Sequence, residues 1–390
     1  MMCSRRSPRC AGNSTREHSG PLPVTVVDGV QIGAGAVIVL VTIYDVVQSV
    51  VMPRPAVGRI RLSFTLIRGG WRVWRKLAER PKKLQTRETA MAAFAPMMLV
   101  GLLVLWGFSF IIGYALIFGG LHDGLQPQPD SFGTTLYFST GRMLAFSVAG
   151  IEATGVATRT FAAIEAASGF GLFALVISLL FSLFSSFQRR ETAVVALDAL
   201  AGAPPSGVQL LETCAKDAMP EQLAATFDEW RLWTVDVIES HLSYPLLFYF
   251  RSSHDNEAWA NSFGAVMDAA TLVLTTVDGG PVGQARLMHK VGAHFVADMR
   301  DHFRYEGEAI AGVEREEFVE ACGRLERAGY QLHNLDRAWE QFSLLRSKYG
   351  TWLNQTTKGL SVPPAPWIGD RSYLPHRERS ARGRGQRRVA

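Results

Sequence analysis

The chain has 390 residues, enough for two or more domains, and 48% are apolar against 19% charged, a balance that points to a protein partly in a membrane. Four scattered cysteines, Cys3, Cys10, Cys214 and Cys322, with no CxxC pair, exclude a disulfide framework, so Cys214 and Cys322 are expected to be reduced. Residues 371–390 carry seven Arg against one Glu, so this tail alone gives +6 of a formal +5 and leaves the rest at −1; no nucleic-acid partner is expected.

Residues 1–29 form an N-terminal extension that lacks the usual proportions of a signal peptide, and no cleavage is expected. A membrane-crossing helix needs roughly 20 mostly apolar residues. Three stretches qualify: VQIGAGAVIVLVTIYDVVQSVVM at 30–52, a run inside 91–118, and FAAIEAASGFGLFALVISLLFSLF at 161–184. The first contains Asp45, about 10 Å along a helix axis from Met52, where it can reach an interface or pair with an Arg of the next loop. That basic linker, 53–89, has eleven Lys or Arg and two Glu, whereas 119–134 has two Asp and no Lys or Arg. By the positive-inside rule the first is cytoplasmic and the second external. The N-terminus then falls outside, against the mild pull of Arg5, Arg6, Arg9 and Arg16, and everything after the third helix is cytoplasmic. Within the linker, RIRLSFTLIRGGWRVWRKLAER spaces Trp71, Trp74 and Leu77 with Arg72, Arg75 and Lys76, as in a helix lying on anionic lipid. A solvated connector is the alternative.

Between the second and third spans lies TTLYFSTGRMLAFSVAGIEATGVAT (134–158), too polar to cross a membrane. A segment there can enter the bilayer and return only if protein or a water-filled cavity satisfies its backbone. Leu136-Tyr137-Phe138-Ser139 look like the start of a pore helix. With Arg159, Glu165-Ala166, Ser185-Ser186-Phe187-Gln188-Arg189-Arg190-Glu191 and HLSYPLLFYFRSSHDNEAW (241–259), they resemble bacterial ion channels with the two-helix pore of potassium channels. The resemblance covers roughly 90–300 and implies a pore-like module at 90–187 (outer helix, re-entrant loop, inner helix), assembled as a homotetramer. It places the filter at Ala145-Phe146-Ser147-Val148-Ala149, with Gly150 where the family has Asp, or one residue later. Potassium filters use a Gly-aromatic-Gly whose carbonyls replace the ion's water shell. None is present here. Three outcomes stay open: a non-selective cation pore with four copies of Glu152 ringing its outer mouth, a pore fold that no longer conducts, or a surface hairpin. Arg142 either repels cations from the cavity or turns outward.

In the inner helix, Gly169 and Gly171 are a gating hinge or a site of close helix approach. Phe181, Phe184 and Phe187 recur at i, i+3 and i+6 and either stack as aromatic rings that gate the cytoplasmic exit or face lipid and the outer helix. Asp45 and Glu165 are the ionisable residues inside the spans, and such groups are functional candidates by default.

Beyond the break AGAPPSG (201–207), the mixed three- and four-residue spacing of Leu210, Leu211, Leu223, Phe227, Trp230, Leu232, Trp233 and Val235 predicts packed amphipathic helices. The expectation is an α-helical cytoplasmic domain over 188–360 and, from 361 to 390, a disordered basic tail able to touch anionic lipid. No HExxH, GxxxxGK[ST] or GxSxG motif is present, so no enzyme, metal or cofactor is expected. His294, Asp298 and His302 share one helical face, as a zinc site or a solvated face. His241, Tyr244, Tyr249, Arg251, His254 and Asn256 form a ligand site or a hydrogen-bonded helix junction. The sequence thus predicts an all-α inner-membrane protein of three transmembrane helices with a re-entrant pore loop and a helical cytoplasmic domain.

Overall fold

The computed structural model describes residues 25–52, 62–80, 84–146, 150–252 and 258–368. Most of the N-terminal extension, the linker between 53 and 61, and the Arg-rich end of the tail lie outside the described residues. The described chain is mostly helical, and three helices are long and apolar enough to cross a membrane: Val26–Val50, Thr86–Gly120 and Val156–Ala201.

By element, α1 (Val26–Val46) ends in a π-turn (Val47–Val51), and α2 (Leu62–Ala78) and α3 (Leu84–Ala92) lead into α4 (Phe94–Gly120). Next come β1 (Leu125–Gln126), α5 (Phe132–Met143), β2 (Glu152–Ala153) and α6 (Val156–Ala201). At 46 residues α6 measures about 69 Å, more than twice the hydrocarbon thickness of a bilayer. The stretch 161–184 is only its apolar part. The break at 201–207 separates α6 from α7 (Gly207–Lys216), followed by α8 (Pro220–Ser243), a 3-10 turn (Pro245–Tyr249), α9 (Trp259–Thr275) and α10 (Val282–Phe303). α11 (Arg315–Arg327), α12 (Leu335–Ser347) and α13 (Gly350–Gly359) complete the chain.

Two compact units result, and they do not follow the expected boundaries. Among the described residues, the first joins 25–44 with those of Val104–Ala174, so α1 belongs with the helices expected to form a separate module at 90–187. Small residues make this possible: a Cβ on Gly113 would lie 2.8 Å from Val39 Cγ2 and 3.1 Å from the Gly35 carbonyl. Without hydrophobic drive between helices in lipid, such close backbone approach supplies the contact. Leu40, Phe108, Phe170 and Phe173 point outward, as lipid-facing side chains do.

The second unit holds Asp45–Leu103 and everything from Leu175. Its centre is α9, buried on all sides from Trp259 to Val273, as an all-round apolar helix requires. α7, α8, α10, α12 and α13 pack around it. Leu210, Leu211, Leu223, Phe227, Trp230 and Trp233 are core, but Leu232 and Val235, expected with them, are exposed. Cys214 and Cys322 are free and buried. Residues 361–368, expected to be disordered, instead pack: Ala365, Trp367 and Ile368 are buried, and Asn261 Nδ2 donates to the Pro363 carbonyl at 2.8 Å. These few apolar side chains suffice because α9 offers Gly264, where an added Cβ would strike Ile368 Cδ1.

α9 also carries Asp268, which is 1% exposed and therefore needs partners. Arg346 of α12 supplies a bidentate pair, Nε to Oδ1 at 2.8 Å and an Nη2 to Oδ2 at 3.3 Å, and the Tyr349 hydroxyl donates to Oδ1 at 2.6 Å. The rest of the guanidinium serves the Trp367 carbonyl at 2.7 Å and the Ala311 carbonyl. Burial pushes the Asp268 carboxyl up, and Arg346 counters it. Removing one partner of such a pair strands a buried charge, so Asp268→Asn is expected to cost about 3–5 kcal/mol, read as a lowered thermal midpoint in detergent with membrane insertion unchanged.

Candidate functional site

The segment from 125 to 153 leaves and re-enters the first unit through one neck. β1 and β2 pair antiparallel, Leu125 opposite Ala153 and Gln126 opposite Glu152, and the amides of Thr154 and Gly155 both donate to the Gly124 carbonyl, at 2.8 and 3.2 Å. Inside this closure sits α5, only 12 residues long. Thr135, Phe138, Ser139 and Met143 recur at helical spacing and form its buried face. The Phe138 ring meets Phe118 of α4 edge-on at 5.0 Å. The Ser139 hydroxyl is shared between the Ile111 carbonyl of α4 at 2.8 Å and Glu165 Oε1 of α6 at 2.5 Å. Glu165 is thus fully buried against α5, and its other oxygen has no hydrogen-bond partner among the described residues. Of the LYFS run, Phe138 and Ser139 anchor the helix while Tyr137 is exposed.

α5 ends in a Schellman-type turn. Ala145 takes a left-handed φ of 58°, and the Phe146 amide donates to the Gly141 carbonyl at 2.7 Å. Phe146 is exposed, Gly150 has φ 90°, and Glu152 is exposed in β2. Ser147, Val148 and Ala149 lie outside the described residues. The Arg142 guanidinium lies over the Phe138 ring, 5.0 Å from its centroid, neither in open space nor extended away from the protein. Gly169 meets the end of α5, where a Cβ would strike the Met143 carbonyl, whereas Gly171 faces open space and α6 runs unbroken through both. Close approach therefore accounts for Gly169.

Further along α6, Phe181 and Phe184 are exposed, but Phe187 contacts Phe250 at 5.5 Å and lies beneath the Arg190 guanidinium at 5.3 Å. Arg190 is fully buried. It donates to His241 Nε2 at 3.2 Å, the Leu247 carbonyl at 2.9 Å and the Phe250 carbonyl at 2.8 Å, and pairs with Glu191 at 2.8 Å. The Trp233 indole donates to the Arg190 carbonyl at 3.1 Å. His241 lies between Phe248 and Trp259, and its other ring nitrogen meets the Ser240 hydroxyl at 3.1 Å. Arg251 spans Glu88 at 2.8 Å and the Leu360 carbonyl at 2.8 Å. The described residues of the 241–256 cluster are therefore a helix junction; His254 and Asn256 lie outside them.

Asp45 accepts from the Ser63 amide at 3.2 Å and from its hydroxyl, at the first turn of α2. His294 and Asp298 form an exposed pair at 3.6 Å, while His302 packs on Phe64 and Phe248. Among the described residues no three His, Cys, Asp or Glu side chains are grouped to hold a metal. No family model, curated protein or solved structure matches the chain. The sequence pointed to both halves of the Arg190 junction without showing that they meet. The Asp268–Arg346–Tyr349 cluster was missed, although a lone acid inside an otherwise uncharged helix was its visible signal.

Burial, then the nearby Arg190 charge, hold the His241 imidazole well below its ordinary value. The folded state keeps it neutral while the unfolded chain protonates near pH 6.5, so its contribution is intact above that pH and is lost as pH falls below it. The thermal midpoint should fall from pH 7 to pH 5, and His241→Asn should flatten that slope. His289, also lowered by burial, adds a slope of the same sign. In the first unit, Ser139→Ala leaves Glu165 without its donor and should cost about 1–3 kcal/mol, measured as loss of thermal stability in detergent.

Proposed function

We propose that the chain is a channel-like protein of the bacterial inner membrane, a homotetramer that passes cations without strong selectivity along residues 145–152. The observation that carries this reading is α5. At about 18 Å it is too short to cross a bilayer, yet two helices long enough to cross wall it in, and β1 and β2 return it to its starting point. Irregular backbone at membrane depth is tolerated when protein or a water-filled cavity surrounds it; α5 buries one face against its neighbours, and the exposed turn after it would need the cavity that further copies enclose. A single module needs copies around an axis to enclose a path, and Glu152 then stands at the entrance. The absent Gly-aromatic-Gly argues against potassium selection.

The positive-inside rule puts the 53–89 linker and the helical second unit in the cytoplasm. In this reading Arg190 fastens the 245–250 turn to α6, and movement of that turn shifts α6 where Phe181 and Phe184 sit. The Phe187 contacts with Phe250 and Arg190 favour packing over a pore ring at that position. The second reading is a non-conducting scaffold or sensor acting through the helical unit; the Arg142 cation beside the expected filter favours it.

Reconstituted in liposomes, the protein should carry potassium and sodium at similar rates, and Glu152→Gln should reduce the flux. Four copies should be found in detergent. Absence of flux from both proteins selects the scaffold, and a strongly potassium-selective reversal potential defeats the argument from the missing glycines.

A further inference from the structure

The helix α2 has three faces. Ser63, Ile67, Trp71 and Ala78 are buried in the second unit, where the Trp71 ring packs on Phe94 at 5.0 Å and Tyr249 at 5.1 Å and its indole donates to the Gly359 carbonyl at 2.9 Å. The Trp74 indole donates to the Ala90 carbonyl at 2.8 Å. The tryptophans that the sequence assigned to lipid therefore face protein. About a third of a turn away, Leu62, Leu66, Val73 and Leu77 recur at i, i+4, i+11 and i+15, within about 60° of one another. They are 49%, 40%, 62% and 49% exposed, two apolar pairs on one line of the helix with Gly69 and Gly70 between them. The third face is basic. Arg68 and Arg75 are spent on the Phe303 and Gly359 carbonyls at 3.2 and 3.3 Å, which leaves Arg72 and Lys76 exposed beside the stripe.

The position of α2 identifies the occupant. Its first turn is hydrogen-bonded to Asp45, near the end of the first helix able to cross a membrane, and its last turns meet Ala90 and Phe94 at the start of the second. Both ends are thus fixed where crossing helices emerge, on the side that the basic residues mark. An apolar stripe flanked by exposed cations at such a place has the chemistry of a helix lying in a headgroup layer, apolar side chains among acyl chains and cations at anionic headgroups.

We propose that Leu62, Leu66, Val73 and Leu77, with Arg72 and Lys76, rest on anionic lipid of the bilayer that α1 and α4 cross. The proposal depends on membrane crossing and not on conduction. The test uses the full chain in nanodiscs, with Cys3 and Cys10 replaced by serine and a spin label at Val73→Cys. Leu40→Cys on α1 serves as the lipid reference and Leu232→Cys as the water reference. Oxygen accessibility should exceed that of a nickel relaxant at positions 73 and 40, with the reverse at 232. Phosphatidylglycerol added to phosphatidylcholine should raise the ratio at 73, and R72Q/K76Q should abolish that increase. A nickel-accessible position 73, a position 73 closed to both reagents as under a second copy, or a ratio indifferent to phosphatidylglycerol each overturns the proposal. Liposome flux is read separately, so failure here is distinguishable from failure of the channel reading.

Discussion

A guanidinium with no access to water must place its donors on fixed acceptors, and Arg190 meets that demand at the foot of the longest helix in the chain. Two carbonyls of the turn that follows α8, the imidazole of His241 and the neighbouring Glu191 share it. Each acceptor comes from a part of the second unit that packs elsewhere as well: His241 on Trp259 of α9, and Tyr249 on Trp71 of α2. The place where α6 meets α8 and α9 is therefore fixed by one side chain, because shifting it would leave a buried donor orphaned.

The two units solve the problem of cohesion differently. In the first, where the surroundings are apolar, glycines let α1 and α4 touch at the backbone and a single shared hydroxyl joins α5 to both neighbours. In the second, two buried arginines gather loops and helix ends, Arg190 around the 3-10 turn and Arg346 around α9 and the 361–368 strap. Planar, permanently charged and rich in donors, arginine suits this use where lysine would not.

Much of this was legible in the sequence. Apolar length marked the three helices long enough to cross a membrane, and glycine and proline marked the break after Ala201. The LYFS segment could be placed between the second and third of these helices from order alone. Other features depended on contacts between residues distant in sequence. Trp71 and Trp74 share an amphipathic face with Ile67, and nothing local says whether protein or lipid covers it. Leu232 and Val235 fit the helical period of α8 and still lie outside. The strap at 361–368 looked too poor in apolar residues to pack because the groove that receives Trp367 and Ile368 is built by α9 and α12. The 46-residue length of α6 was hidden for a related reason: its polar second half is helical because the second unit buries one face of it.

The two-residue ladder of β1 and β2 has a consequence for how such a chain can change. Because the stretch between them is closed on itself, its two ends stay in place when its length changes, as a loop with fixed ends adds little entropic cost when it varies. Phe138 and Ser139 hold α5, and Leu144 and Phe146 beyond it are exposed. Substitutions can accumulate there while the scaffold persists, so the chemistry of this tip can drift independently of the architecture that presents it.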